Sequence, residues 1–123
     1  MIIGHVDPHH EIVIPLPIRN AFGREEMIEV ILDTGFTGTL TLPPSMITHL
    51  GLRWRSQVWT VLANGTSELS DVYGGTVIWD GVARPINVQE VNSVPLLGIR
   101  LLIGYDLRIR VIDGGEVEIE IVP

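Results

Sequence analysis

The segment Ile31-Leu32-Asp33-Thr34-Gly35-Phe36-Thr37-Gly38 decides how this chain is interpreted. An apolar strand ends at a carboxylate, Asp33, and two glycines within six residues allow the backbone to bend sharply there. Gly35 also leaves room for a ligand or another backbone to approach closely. An ionisable group after a buried strand is costly unless it is hydrogen-bonded or functional. Asp-Thr-Gly alone also fits an ordinary turn, so a catalytic role for Asp33 needs support from elsewhere in the chain.

A second apolar segment supplies that support. Pro95-Leu96-Leu97-Gly98 is a short strand that passes through a glycine into a short helical piece near Ile99 to Ile103. Between the two segments, Val61-Leu62-Ala63 and Ser67-Glu68-Leu69 flank Asn64-Gly65, a pair that accepts the positive φ angles of a type I′ turn. The sequence therefore predicts a β-hairpin here.

Strand patterns dominate the remainder of the chain. Ile12, Ile14, Leu16 and Ile18 share one face of an extended segment, and the intervening Pro15 and Pro17 favour an edge strand. Further predicted elements are a strand over Glu26–Leu32, a short strand at Leu40–Leu42, a helix over Pro44–Leu50 ended by Gly51, turns at Asp80-Gly81 and Asp113-Gly114-Gly115, and a final strand alternating from Glu116 to Ile121. Trp54 and Trp59 are expected in the core rather than facing a substrate. Many short, evenly spaced strands predict an all-β fold, a small closed or partly open barrel with one or two short helices, in a single domain over residues 1–123.

Composition excludes several classes of function. The chain has 123 residues, 46% of them apolar, and a formal net charge of −7, with no cluster of cations that could bind the phosphates of a nucleic acid. It has no cysteine, which rules out disulfides and thiolate chemistry. The longest apolar run, Val94 to Tyr105, is interrupted by Arg100 and too short to span a membrane. Since no secretory signal is evident at Met1, we expect a soluble, cytoplasmic protein.

The two segments and the hairpin between them resemble the retropepsin-like (clan AA) aspartic proteases, in particular their small bacterial members. The resemblance covers nearly the whole chain and implies a barrel equivalent to half of a pepsin-type enzyme. It also implies that Asp33 is catalytic, that Thr34 hydrogen-bonds across a dimer and that Gly35 offers its backbone to the substrate. The residues implied to bind substrate are those of the hairpin, or flap, Ala63, Asn64, Gly65 and Thr66, together with Leu96 and Leu97, which would line or support the pocket. Apolar Leu96 and Leu97 favour hydrophobic side chains beside the cleaved bond.

The sequence departs from the viral members of this family after Gly98. An arginine usually follows the glycine in those enzymes, whereas here Ile99 follows it and Arg100 comes one residue later. Cellular relatives often carry an acid at the position of Arg100. These differences bear on the ion pair that braces the viral dimer rather than on Asp33.

A single Asp-Thr-Gly implies a homodimer. The mechanism needs two carboxylates that share one proton, so that one activates water while the other stays protonated; this pairing is the established behaviour of aspartic proteases as a class rather than a deduction from this sequence. No other aspartate of the chain stands in a second copy of the motif. A two-fold axis would bring Asp33 next to its own symmetry mate. Because one carboxyl must be protonated, we expect the best activity at mildly acidic pH.

Other functions are less well supported by the residues. His5, His9, His10 and His49 invite a metal site, but adjacent His9 and His10 point to opposite faces of a strand, so we expect neither a metal nor a cofactor. A phosphoryl-transfer enzyme with an aspartate nucleophile would need long crossover helices that this chain cannot form. The main alternative to an aspartic endopeptidase is a non-catalytic dimer of the same fold that binds peptides or serves in assembly.

Overall fold

The computed structural model describes all residues from 1 to 123 and contains ten β-strands, one α-helix and one 3-10 helix. The strands are β1 (Ile2–Val6), β2 (Ile12–Arg19), β3 (Glu25–Asp33), β4 (Leu40–Leu42), β5 (Arg53–Val61), β6 (Ser67–Trp79), β7 (Val82–Glu90), β8 (Leu96–Gly98), β9 (Tyr105–Ile109) and β10 (Glu116–Ile121). The α-helix, α1, spans Pro44–Leu50, and the 3-10 helix spans Ile99–Leu102. Neither helix has the length and apolar character needed to cross a membrane.

All ten strands belong to one sheet that closes on itself. Their order in the sheet is β5-β6-β7-β4-β8-β3-β2-β1-β10-β9, and Ile18 of β2 also pairs with Val77 of β6. That pairing joins the two ends of a six-stranded portion, β6-β7-β4-β8-β3-β2, into a barrel. The remaining strands extend from it, β5 on one side and the group β1-β10-β9 on the other. The prediction of an all-β barrel with short helices is confirmed.

The interior of the barrel is filled by alternate residues of its strands. Ile14, Leu16 and Ile18 of β2 are completely buried, as their shared face predicts. They belong to one cluster of 19 buried apolar residues that also contains Trp79, whose ring stands edge-on to that of Tyr105 at 5.9 Å. Burying each aliphatic side chain contributes about 1.5–3 kcal/mol, so this cluster fixes the register of the strands.

Strand β2 is not an edge strand, so that prediction was wrong. It pairs with β3 along its whole length, and on its other side with β1 and β6. Those latter pairings involve only Ile12, Val13 and Ile18 of β2, so Pro15 and Pro17 lie in the gap between them. The prolines are tolerated because this stretch of the strand has only one hydrogen-bonding neighbour.

Helix α1 follows its sequence signals. Pro44 occupies the first turn, where its missing N–H is of no consequence, and Ile47 and Leu50 are buried. Gly51 ends the helix in the left-handed conformation at φ 67°, and its N–H bonds to the carbonyls of Ile47 and Thr48. The helix and its predicted bounds are confirmed.

The hairpin between β5 and β6 forms where it was predicted, but its turn is different. A type I′ turn needs positive φ at both central residues, and only Gly65 has it, at 84°. The strands instead meet at Leu62 and Thr66, leaving a three-residue loop, Ala63–Gly65, in which the Gly65 N–H bonds to the Leu62 carbonyl. The two-residue turn with two positive φ angles is at Asp80-Gly81, between β6 and β7.

Both tryptophans near the hairpin lie at the surface. The exposed fractions are 55% for Trp54 and 72% for Trp59, so the expectation that they lie in the core was wrong. Trp54 donates its indole N–H to Asp71 at 3.0 Å, and Gln57 donates to the same oxygen. Because β5 is paired only with β6 and projects from the barrel, no second layer covers this face of the hairpin.

Candidate active site

Asp33 is the last residue of β3 and is placed by the pairing of that strand with β8. The two strands run parallel, with Ile31 opposite Leu96, Leu32 opposite Leu97 and Asp33 opposite Gly98. Strand β8 is paired on its other side with β4, which returns from the loop after Asp33. The two apolar segments singled out in the sequence are therefore neighbours at the centre of the site.

The loop after Asp33 is held by backbone hydrogen bonds. The Gly35 N–H donates to the Asp33 carboxylate at 3.0 Å, and the Phe36 N–H donates to the Asp33 carbonyl at 3.1 Å. The Phe36 carbonyl in turn accepts from the Ile99 N–H at 2.9 Å. This arrangement fixes one carboxylate oxygen of Asp33 and leaves the other free of hydrogen-bond partners within the chain.

Glycines are required where this loop crosses β8. A Cβ atom on Gly98 would collide with the carbonyl oxygen of Gly38 and with the ring of Phe36, and one on Gly38 would collide with the same ring. The close approach allows the Gly98 N–H to donate to the Thr39 carbonyl at 2.8 Å and the Arg100 N–H to the Gly38 carbonyl at 3.3 Å. The glycines after Asp33 and at the end of β8 thus form one interlocked unit.

A buried hydroxyl anchors the start of β8. Thr41 is the only buried polar residue, and its Oγ1 accepts the Leu96 N–H at 3.1 Å. The Ile31 N–H bonds to the carbonyl of Pro95 at 2.9 Å. Without Thr41 the Leu96 N–H would lack a partner, because its neighbours on that side are apolar.

Asp33 stands alone as a carboxylate at this centre. It is half-buried, Thr34 beside it is exposed, and the Thr34 hydroxyl makes no hydrogen bond within the chain. The other aspartates lie elsewhere: the side chains of Asp7, Asp71, Asp80 and Asp113 accept hydrogen bonds from other parts of the chain, and Asp106 is exposed in β9. One subunit therefore presents one acid.

An open cavity of about 300 Å³ lies beside the Asp33 loop. One wall is the segment that follows Asp33, and the opposite wall is the inward face of β5 with parts of β6 and β7. The lining residues are Phe36, Gly38, Thr39, Leu40, Ser56, Val58, Val72, Asn87, Gln89 and Arg100. None of them is among the residues that the family resemblance implies to bind substrate, although the alternation of Ser56 and Val58 along β5 could have indicated a shared face.

A larger cavity of about 450 Å³ lies away from this site, along the β9–β10 hairpin. It is lined by Arg108, Ile109, Arg110, Glu116 and Glu118. Arg108 pairs with Glu118 at 3.2 Å. The Glu118 carboxylate accepts a hydrogen bond from protonated Glu116, and this bond, together with the charge of Glu118, raises the pKa of Glu116. The two arginines and two glutamates that line this cavity largely compensate one another in charge. No residue of the Asp33 loop lines it.

Comparison with known structures agrees with this architecture. The crystal structure of a retropepsin-like aspartic protease from Rickettsia conorii superposes on 98% of this chain and 91% of its own, with a TM-score of 0.58 and 14% sequence identity. The chain has a retropepsin-like fold. No model of a protein family matches the sequence, and no curated protein matches it either.

The hairpin of β5 and β6 contains the residues that the sequence predicts as a flap. Its tip residues, Ala63 to Thr66, are all exposed, and the Asn64 side chain accepts hydrogen bonds from the Thr66 N–H and hydroxyl at 3.0 and 2.6 Å. The tip does not line the cavity, which is bordered instead by the strands below it. Contact between the tip and a substrate stays a prediction.

The two leucines of β8 differ in accessibility. Leu97 is completely buried in the core, whereas Leu96 is partly exposed. Of the two roles that the family resemblance implied, lining or supporting the pocket, Leu97 can fill only the second. Its apolar side chain therefore gives no basis for a hydrophobic preference at the cleaved bond.

The histidines are dispersed over the surface. His10 bonds to Asp113 at 2.9 Å and His49 to Glu26 at 2.8 Å, and the latter contact lowers the pKa of Glu26. No three potential metal-ligating side chains of His, Cys, Asp or Glu come together. These contacts are pairwise ties between neighbouring segments.

Proposed function

We propose that this protein is an aspartic endopeptidase that is active as a homodimer, with one Asp33 from each subunit. The observation that carries the proposal is the presentation of Asp33. Its carboxylate is half-exposed at the end of β3, oriented by the Gly35 N–H and adjacent to an open cavity, in a chain with a retropepsin-like fold. A cytoplasmic location remains part of this proposal.

The reaction follows from placing two such carboxylates around one proton. Like charges at close range cannot both be ionised, so one Asp33 accepts a proton from water while the other donates one to the peptide carbonyl oxygen. The water oxygen then bonds to the carbonyl carbon, forming a tetrahedral intermediate. Proton transfer to the amide nitrogen allows the C–N bond to break, releasing an acid and an amine.

Support for the dimer comes from what one subunit lacks. It offers a single carboxylate at the site, and the exposed Thr34 hydroxyl beside it has no partner within the chain. An isologous contact around a two-fold axis places each residue near the axis against its own copy. The same contact would supply the second acid and a partner for Thr34.

The proposal is tested by Asp33→Asn, with Asp106→Asn as the matched control because Asp106 is an exposed aspartate in β9. Loss of a group in general acid–base catalysis should lower peptide cleavage by at least about 100-fold. The control should cleave at the wild-type rate, and circular dichroism should be unchanged in both. Near-full cleavage by Asp33→Asn would refute the proposed protease function.

A statine-type inhibitor distinguishes this enzyme from a non-catalytic peptide-binding dimer of the same fold. Its hydroxyl imitates the tetrahedral intermediate and is held by the paired acids, so it should bind the wild type and lose affinity for Asp33→Asn. A binding module would hold the inhibitor and a simple peptide of the same sequence equally well in both proteins.

A further inference from the structure

The cavity beside Asp33 is bordered by arginine and contains no acid. The chain has fifteen acidic residues and eight basic ones, all of the latter arginine. Yet none of the ten residues that line this cavity is Asp or Glu, and Arg100 is among them. No carboxylate lies within 4.0 Å of the Arg100 guanidinium. In a chain of net charge −7, the one charged residue in the lining of this cavity is therefore a cation.

The backbone of Arg100 is hydrogen-bonded to the loop that follows Asp33. Its N–H donates to the Gly38 carbonyl, and it follows directly on the residues of β8 that pair with Asp33. Both Gly38 and Arg100 line the cavity. Arg100 follows Gly98 by two residues, and Gly98 is paired with Asp33. The Arg100 backbone is therefore tied to the Asp33 loop, and its exposed side chain extends from that fixed point.

A second guanidinium, that of Arg55, lies at the border of the same cavity. It donates to the side-chain oxygen of Asn87, a lining residue, at 3.0 Å. It also lies flat across Gly74, where a Cβ atom would come within 2.7 Å of its central carbon. Arg55 too has no carboxylate within 4.0 Å. The site thus has one arginine in its lining and another fixed beside it.

The other walls are neutral and suited to a side chain of moderate length. Ser56, Asn87 and Gln89 supply hydroxyl and amide groups, while Val58 and Val72 offer apolar surface for the methylene groups of a bound side chain. A volume of about 300 Å³ is at the lower end of ligand sites, which span about 300–1,000 Å³. The dimensions fit one residue of a peptide rather than a whole small-molecule ligand.

On the basis of the proposed protease function, we propose that this cavity binds an acidic side chain of the substrate, glutamate or aspartate, near the cleaved bond. A guanidinium presents its donors in a planar fork that matches a carboxylate, and such charge-assisted bonds are stronger than neutral ones. The preference is opposite to the hydrophobic one suggested by Leu96 and Leu97.

The test compares cleavage of matched peptides that differ only in carrying Glu or Gln at each position around the cut. Measured at about pH 6, where glutamate is ionised, wild type should cleave the Glu peptide at one position about tenfold faster, the effect of one solvent-accessible charged hydrogen bond. Arg100→Gln should lose that ratio, and Arg100→Glu should favour Lys at the same position. Arg24→Gln, an exposed arginine in the turn before β3, should keep the wild-type ratio.

Outcomes for the pocket and for the protease can be separated. Cleavage without an acidic preference, or the same preference in Arg100→Gln, overturns the pocket assignment and leaves the protease intact. If the wild type cleaves nothing, the protease fails, and fluorescence anisotropy decides the pocket: labelled Glu and Gln peptides should still bind Asp33→Asn with about tenfold different affinity. Equal binding of the two peptides would refute the acidic site.

Discussion

At the scale of single residues, the site depends on the absence of a side chain at Gly98 as much as on the presence of Asp33. A Cβ atom on Gly98 would overlap the Gly38 carbonyl and the Phe36 ring, and this close approach sets the distance between β8 and the loop that orients Asp33. The carboxylate itself receives only one hydrogen bond from its own chain, from the Gly35 N–H. Its position is thus determined by backbone packing more than by side-chain partners.

Gly98→Ala should therefore damage both stability and activity. The added methyl would overlap the Gly38 carbonyl and the Phe36 ring, and such overpacking costs about 1–3 kcal/mol or more. Urea unfolding should show a lower midpoint, and peptide cleavage should fall with it. Gly81→Ala, in the turn between β6 and β7, is the control, since nothing lies within 4 Å and its cost is limited to about 1–2 kcal/mol for the positive φ. An unchanged midpoint for Gly98→Ala would contradict the interlocked geometry.

The sequence was sufficient to predict the bends of the chain after Asp33 and at Gly98. Asp33 and Gly35 follow an apolar strand, and Gly98 ends another, so local pattern alone indicates a bend at each. The cavity could not be predicted in this way. Arg55 meets Asn87 across 32 positions of the chain, and that contact depends on the register of three paired strands.

At the scale of elements, the β5–β6 hairpin is attached to the barrel through a short polar chain. Gln89 of β7 donates to the Thr60 hydroxyl at 2.7 Å, and that hydroxyl lies 3.2 Å from the hydroxyl of Ser70. Gln89 lines the cavity beside Asp33, and Thr60 and Ser70 are half-buried below the exposed tip of the hairpin. They connect the β5–β6 hairpin to a strand of the closed barrel.

Gln89→Leu should loosen the hairpin. Loss of one hydrogen bond worth about 1 kcal/mol would speed amide exchange in residues 58–70 by about fivefold. Hydrogen exchange followed by mass spectrometry measures this directly. Gln57→Leu is the matched control, because its bond to Asp71 joins β5 to β6 and leaves the attachment to β7 intact. Equal exchange in both variants would show that the Gln89 contact does not restrain the hairpin.

The carboxylates of Glu116 and Glu118 in β10 repel each other, and this repulsion depends on pH. Glu116 and Glu118 share a face, and the pKa of Glu116 is raised first by the hydrogen bond to Glu118 and then by its charge. A carboxyl with a raised pKa in the folded protein favours folding at low pH, and this contribution is lost as the pH rises through that pKa. Glu116→Gln should therefore raise Tm at pH 7, with a gain that disappears below the unfolded pKa of about 4.3. A constant gain at every pH would exclude repulsion as the cause.

Two elements differ from the predictions made from local sequence patterns. Asn64-Gly65 and Asp80-Gly81 have equivalent turn chemistry, but only the second pair adopts two positive φ angles. The register of β5 against β6 brings Leu62 opposite Thr66 and leaves three residues between them, so the first turn takes another form. Likewise, Pro15 and Pro17 suggested an edge strand. They in fact lie in the gap between the pairings of β2 with β1 and with β6, and such a gap cannot be predicted from the sequence.

At the scale of the whole molecule, one closed barrel presents a single Asp-Thr-Gly segment. The closing contact between Ile18 and Val77 and the pairing of β3 with β8 bring the Asp-Thr-Gly segment to a surface with no second acid. The sequence allowed the barrel and the single motif to be predicted, because each depends on strand periodicity and on a count of residues. The contact between subunits in the proposed dimer depends on surfaces that a single chain does not pair.

The most direct measurement of the central claim is the activity of mixed dimers. Wild type and Asp33→Asn are mixed at constant total subunit concentration and allowed to exchange, and cleavage is measured against the wild-type fraction. If each site needs both Asp33 carboxylates, activity follows the square of that fraction, so an equal mixture has about one quarter of the wild-type rate. Asp106→Asn in place of the variant should leave the rate unchanged. A linear dependence, with about one half of the rate in the equal mixture, would show that one subunit acts alone and would contradict the shared site.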